Sequence, residues 1–252
     1  MGDSRNLLGV RVSAFDLAPA TAEMAQAISE GRRVYASTCP VYTLMMGHEN
    51  PKVGQALNGA EWVTPDGMPV VWALRWLGAH RVGRVYGPDL MLALTEISAA
   101  RGYRQYYFGG QPGVADALAG VMQARFAGLR VAGTCSPPFK QLAEVERHDL
   151  LAHINAAEPH IVWVGLGSPK QDLWMADNRP FLTAPLLVGV GAAFDFLTGR
   201  QPQAPRWMQR SGLEWLFRLM SDPRRLGRRY LVYNPKFVLQ LALQLTGLRH
   251  YS

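Results

Sequence analysis

The sequence predicts an α/β fold, a mainly parallel sheet covered by helices, followed by a basic helical appendage. Short β-prone runs alternate along the chain with segments of helical periodicity, the pattern of a sheet built from strand–helix units. A hydrophobic content of 48% over 252 residues suffices to bury one large core. The formal charge of +7 is unevenly placed: residues 1–199 hold 16 Lys and Arg against 17 Asp and Glu, whereas residues 200–252 hold 10 against 2. The expected organisation is a core over residues 1–199 and a basic amphipathic appendage over 200–252. Such a charge suits an anionic partner: lipid headgroups, phosphates or nucleic acid.

The strand-like runs are RVYAST (33–38), RQYYFGG (104–110), LRVAGTC (129–135), HIVWVGLG (160–167) and PLLVGVGAAFDF (185–196). Between them, GVADALAGVMQARFA (113–127) and RHDLLAHINAA (147–157) repeat apolar residues at helical spacing. Ligands of parallel sheets bind where loops leave the carboxyl ends of the strands, so functional residues are sought in those loops.

The stretch WVTPDGMPVVW (62–72) sets one carboxylate, Asp66, inside an apolar run. Pro-Asp-Gly is a turn sequence, because proline fixes φ, aspartate caps its own backbone and glycine accepts φ > 0. On these residues alone a turn and a chemical role for Asp66 both stand.

Two loops carry chemistry suited to phosphates. In RQYYFGGQPGVADAL, Gly109, Gly110 and Gly113 lie between a strand and a helix, where exposed N–H groups and a helix N-terminus can face an anion. The pattern is neither the dinucleotide fingerprint nor the P-loop, and a tight connection that needs glycine for geometry explains it equally well. In IVWVGLGSPKQDLW, Lys170 and Gln171 open a helix and offer a cation and an amide to a phosphate and a sugar hydroxyl. Ser168 and Pro169 read as that helix's N-cap and first residue.

From residue 211 the chain predicts three short helices in series, with Asp222-Pro223 and Asn234-Pro235 as starts. Arg224 with Arg228 and Arg225 with Arg229 form two adjacent i,i+4 columns, while Leu226, Tyr230 and Tyr233 lie on the other side. Four arginines without interleaved acid do not fit a simple solvated face. Nucleic-acid binding leaves the apolar flanks unexplained, whereas an interfacial segment accounts for both faces. The four arginines are therefore read as membrane-binding.

Other classes are disfavoured. The N-terminus lacks a basic region followed by a long apolar stretch, so no secretory signal is expected. No run reaches the ~20 apolar residues that span a bilayer. Cys39 and Cys135 fit no metal spacing and are read as reduced thiols; the histidines form no ligand pattern, and no Asp-x-Asp occurs.

Six blocks in order, TPDGMPVVWALR (64–75), RVYGPDL (84–90), YFGGQPGVA (107–115), VGLGSPKQDLW (164–174), GVGAAFDFLTG (189–199) and APRWMQRSGLEWLFRLMSDPRRLGRRYL (204–231), resemble the motifs of the WecG/TagA/CpsF glycosyltransferases, glycosyltransferase family 26. The resemblance implies a Rossmann-like α/β core with a C-terminal helical membrane-binding appendage. It implies inverting transfer of a sugar, N-acetylmannosamine or a related hexose, from a UDP-sugar to a polyprenyl-diphosphate-linked glycan acceptor in cell-surface polysaccharide synthesis. The protein would be peripheral on the cytoplasmic face of the membrane, would need no cofactor and no nucleic acid, and leaves room for a homo-oligomer.

Carried onto this chain, the resemblance makes Asp66 the base and Thr38 a substrate contact, although Pro40 stands where the family often has Asn and Gln203 where many members have Arg. Inverting displacement of UDP needs a base for the incoming hydroxyl and positive charge for the departing diphosphate. Asp66, Thr38, Arg84 and Gln171 form the expected catalytic set. Gly109, Gly110, Gly113, Lys170 and Arg218 form the expected substrate-binding set, with Arg84, Lys170, the glycine loop and Arg218 neutralising the diphosphate. The alternative is a non-catalytic nucleotide- or nucleic-acid-binding α/β protein with a basic tail, which needs neither Asp66 nor Gln171.

Overall fold

A computed structural model describes residues 3–137 and 143–251. Its eight strands are β1 (Ser4–Leu7), β2 (Val10–Ser13), β3 (Val34–Cys39), β4 (Trp62–Pro65), β5 (Arg104–Gly109), β6 (Arg130–Cys135), β7 (Ile161–Gly165) and β8 (Leu186–Gly189). β3 to β8 form a six-stranded parallel sheet in the order β4-β3-β8-β7-β5-β6, flanked by helices. The expected α/β class with a mainly parallel sheet is therefore present, with all five predicted runs contributing strands. The run 185–196 divides, however: only Leu186–Gly189 is strand, Gly191 takes φ 58°, and Ala193–Leu197 is helical. The glycine there lets the chain leave the sheet and turn into a helix within a few residues.

Two features escape the alternating pattern. β1 and β2 form an antiparallel hairpin whose two-residue turn, Leu8-Gly9, has φ of 55° and 87°. Positive φ at both positions matches the twist of the strands, which is why glycine follows Leu8. The second is β4 itself. Pro65 closes this strand without a ladder N–H, which an edge position tolerates. Gly67 has φ −115° and precedes the helix Met68–Trp76, so Pro-Asp-Gly is a strand-to-helix junction and not the positive-φ turn its composition suggests.

The chain forms two compact units. The first comprises Met1–Leu17, Thr38–Tyr86 and Pro202–Ser252. Leu7, Val10 and Val12 of its hairpin, Leu44 and Leu57 are fully or almost fully buried. Its last helix, Tyr233–Leu245, is stitched to the hairpin by one side chain: the Gln244 oxygen accepts from the Leu8 N–H at 3.0 Å, and its amide donates to the Asn6 carbonyl at 2.8 Å. Lys236 pairs with Glu49 at 2.7 Å. The three predicted tail helices are present as Glu214–Ser221, Pro223–Leu231 and Tyr233–Leu245, preceded by a short helix Arg206–Arg210. Asp222 caps as expected, accepting from the Arg225 N–H at 3.2 Å, whereas Asn234 and Pro235 lie inside their helix's first turn.

The second unit comprises Ala18–Ser37 and Gly87–Gln201. Tyr106, Tyr107, Phe108, Trp163 and Phe194 fill its core. The buried Gln105 satisfies two of these aromatics at once, its oxygen accepting from the Tyr107 hydroxyl at 2.8 Å and from the Trp163 indole at 3.0 Å. The predicted helices 113–127 and 147–157 appear as Val114–Arg125 and Glu144–Ala156. Both cysteines are free thiols.

Candidate active site

The first unit contains a pocket around the junction at Asp66. Its walls come from residues 40–42, 66–69 and 84, and from tail residues between 209 and 234. Asp66 leaves the carboxyl end of β4, and the apolar residues on either side explain its placement: Trp62 and Val63 are buried before it, Val70 and Val71 after it. Its backbone is held on both sides, its N–H donating to the Cys39 carbonyl at 3.4 Å and its carbonyl accepting from Arg84 Nε. The half-buried carboxylate lines the cavity.

Aromatic and cationic side chains complete the walls. Trp215 and Tyr230 pack at a 6.2 Å centroid separation, and the Arg229 guanidinium lies 3.8 Å from the centroid of the Tyr42 ring. Three arginines, Arg84, Arg218 and Arg229, share the pocket with two carboxylates, Asp66 and Glu214. Burial lowers the Arg229 pKa, with neighbouring Arg218 and Arg225 adding to the effect. Burial raises the Tyr230 phenol, opposed by Arg218 and Arg229. The Tyr86 phenol is raised far above its usual value by burial first and then by the Glu214 and Asp66 carboxylates. It stays a neutral hydroxyl throughout the physiological range.

Each guanidinium nitrogen of Arg84 has a partner within the protein. Besides its bond to Asp66, Nη1 donates to Gln209 Oε1 at 3.4 Å, Nη2 pairs with Glu214, and the guanidinium stacks 4.0 Å from the Tyr86 centroid. Gly212 sits against Trp72 with φ 75°; a Cβ there would lie 2.5 Å from the indole, so only glycine lets the tail approach so closely.

The remaining predicted residues are placed as follows. Thr38 is buried in β3, next to the Cys39 whose carbonyl holds Asp66. Arg218 lines the pocket. On the helix Pro223–Leu231, Arg224, Arg225 and Arg228 are exposed, and Arg225 pairs with Asp222 at 2.6 Å, whereas Arg229 turns to the pocket. The two i,i+4 columns therefore do not present one continuous exposed face.

In the second unit, Gly109, Gly110 and Gly113 all take positive φ. A Cβ on Gly109 would lie 2.6 Å from the Gly165 backbone, and the Gly110 N–H donates to the Gly165 carbonyl at 3.1 Å. Close packing thus accounts for the first two glycines, while Gly113 stands in open space at the N-terminus of Val114–Arg125. Lys170 is the exposed first residue of the helix Lys170–Asn178, one position later than a Ser168 cap would start it. Gln171 is buried and bridges two loops: its oxygen accepts from the Gly191 N–H at 2.9 Å, and its amide donates to Ser168 Oγ at 3.4 Å. Next to it, the fully buried Asp172 accepts from the Ser37 hydroxyl, and desolvation pushes its carboxyl up to about 6 despite bonds from Ser37 and Ser168.

Sequence reasoning missed Glu214, Gln209, Tyr42, Trp215 and Tyr230 as pocket residues. Glu214 carried a signal, being one of only two acids beyond residue 199. Among the described residues no group of three or more His, Cys, Asp or Glu is arranged to hold a metal ion, and no helix is long and apolar enough to cross a membrane. The family model for the glycosyl transferase WecG/TagA/CpsF family matches residues 5–251.

Proposed function

Since the chain belongs to the WecG/TagA/CpsF glycosyltransferase family, which works in cell-surface polysaccharide synthesis, we propose that its pocket performs inverting transfer from a UDP-sugar to a polyprenyl-diphosphate-linked acceptor. One observation carries this: the Asp66 carboxylate shares a cavity with Arg218, Arg229 and an aromatic wall. An acceptor hydroxyl attacks the anomeric carbon and forms the new C–O bond as its proton passes to Asp66. The bond to UDP breaks with its electron pair on the departing phosphate, where arginine charge offsets the developing negative charge. Tyr42, Trp215 and Tyr230 offer ring faces for a sugar and exclude water from the base.

A peripheral position on the inner membrane face, with residues 200–252 as the membrane-binding appendage, is supported by what this segment exposes. Leu231, Val238, Leu239 and Leu248 are each more than half exposed, close in sequence to the exposed Arg224, Arg225 and Arg228. Apolar side chains beside cations suit a lipid boundary with anionic headgroups. The test is release of UDP by purified protein given a panel of UDP-sugars and a lipid-diphosphate-sugar acceptor. Acceptor-dependent release is expected; its absence with every donor would overturn the proposal.

A further inference from the structure

Glu214 has no role in the transfer described above, yet it occupies a demanding position. It and Arg84 have side chains only 14% exposed, so this ion pair lies largely out of water, where an uncompensated partner is strongly disfavoured. All three guanidinium nitrogens of Arg84 are engaged by the protein: Nε by the Asp66 carbonyl, Nη1 by Gln209 and Nη2 by Glu214. Three of its five N–H donors are thus committed to the protein, and a diphosphate at Arg84 would have to share the guanidinium with Glu214. The Asp66 carbonyl is held by Arg84 and the Asp66 N–H by the Cys39 carbonyl, so both peptide groups flanking this residue are fixed. Glu214 is also the first residue of the tail helix Glu214–Ser221.

We infer that Glu214 is a positioning residue: by holding Arg84 it fixes the backbone of Asp66, and it makes the geometry of the base depend on the seating of the tail helix. The inference rests on Asp66 acting as the base of the proposed transfer. It opposes the simpler view that Glu214 merely fills a phosphate site on Arg84 until substrate arrives, and the two demand opposite kinetics. A positioning residue, when removed, lowers kcat; a competitor, when removed, improves substrate use.

The experiment compares wild type, Glu214→Ala, Glu214→Gln, Arg84→Ala and the Arg84→Ala/Glu214→Ala double variant. Two measurements are made: turnover, with a short-chain lipid-diphosphate-sugar acceptor, of the donor that wild type uses from a UDP-sugar panel that includes UDP-N-acetylmannosamine, and amide hydrogen exchange. Glu214→Ala is expected to lower kcat about 10²-fold, the scale of a misplaced reacting group, with KM for the donor changed less than about threefold. Glu214→Gln keeps an oxygen for Arg84 and is expected to stay within about tenfold of wild type. The double variant should be no worse than Arg84→Ala, because Glu214 acts through Arg84. The Asp66 amide should exchange about tenfold faster in Glu214→Ala but not in Glu214→Gln, while amides of Ile161–Gly165 report an intact fold. A rise in kcat/KM on removing Glu214, an equal loss in the Arg84→Ala background, or unchanged exchange at Asp66 would each overturn the inference. If wild type transfers sugar from no donor, the transferase proposal falls and exchange alone decides the linkage.

Discussion

The Arg229 guanidinium lies over the Tyr42 ring, 3.8 Å from its centroid, while Arg224, Arg225 and Arg228 of the same helix are exposed. A helix that places one cation in the pocket and three on the surface allows the two roles to be separated by mutation. Replacing Arg224, Arg225 and Arg228 with glutamate is expected to weaken binding to anionic vesicles by at least ~3 kcal/mol, at ~1 kcal/mol for each cation near such a surface. Arg229→Gln is expected to leave vesicle binding nearly unchanged and to slow transfer on soluble acceptors. Co-sedimentation at several salt concentrations checks the first, since screening weakens charge-driven binding. Equal loss of vesicle binding in both variants would show that Arg229 also faces the lipid.

Asp66→Asn is expected to reduce transfer by ~10² to 10⁴-fold, the usual worth of a general base. The fold should persist, because asparagine keeps the N–H and carbonyl bonds that hold the backbone of this residue. Steady-state turnover with a thermal melt of the same sample is the check, and wild-type turnover would return Asp66 to a structural role.

Asp172 makes stability depend on pH. Burial raises its carboxyl to about 6 in the folded protein, above the ~3.9 of an unfolded chain. The native state therefore holds this proton more tightly, and the Asp172 contribution to stability falls as pH rises from about 4 through 6. Asp172→Asn has no proton to lose and retains an acceptor for Ser37. It is expected to match wild type near pH 4 and to gain up to about 3 kcal/mol at pH 8. Urea unfolding at the two pH values measures this; destabilisation at pH 8 would mean the ionised form is favoured by its hydrogen bonds.

Transfer is expected to survive EDTA. The pocket sets Arg218 and Arg229 beside Asp66, and in the proposed transfer such protein cations would stabilise the departing diphosphate. Loss of turnover in chelator, restored by magnesium or manganese, would refute this.

Strands were legible in the sequence where apolar runs were bounded by glycine, as at Ile161–Gly165, because period and punctuation are local properties. β4 was hidden, since four residues ending in proline resemble a turn. Asp66 stood out as a lone carboxylate in an apolar run, but its partners did not: Arg84 is 18 residues away and Glu214 is 130 residues from Arg84. Helical spacing placed Arg229 in a column with Arg225, but Arg225 pairs with Asp222 while Arg229 meets the ring of Tyr42, far away in sequence. The helix after Ser168 starts at Lys170 with Pro169 as its cap, and the Ser168 hydroxyl instead meets the Gln171 amide, a bond no cap rule anticipates.

The first unit draws on residues before 18, between 38 and 86, and after 201, whereas the second is supplied almost wholly by the stretch between them. During synthesis the second unit's residues are therefore all released before the tail appears. A pocket with walls at Pro40 and Asn234 cannot exist until the chain has emerged from the ribosome as far as residue 234. Asp66 is made early and stays without Glu214, Arg218 and Arg229 until the helices Glu214–Ser221 and Pro223–Leu231 emerge, so a nascent chain that has not reached those helices lacks the complete pocket.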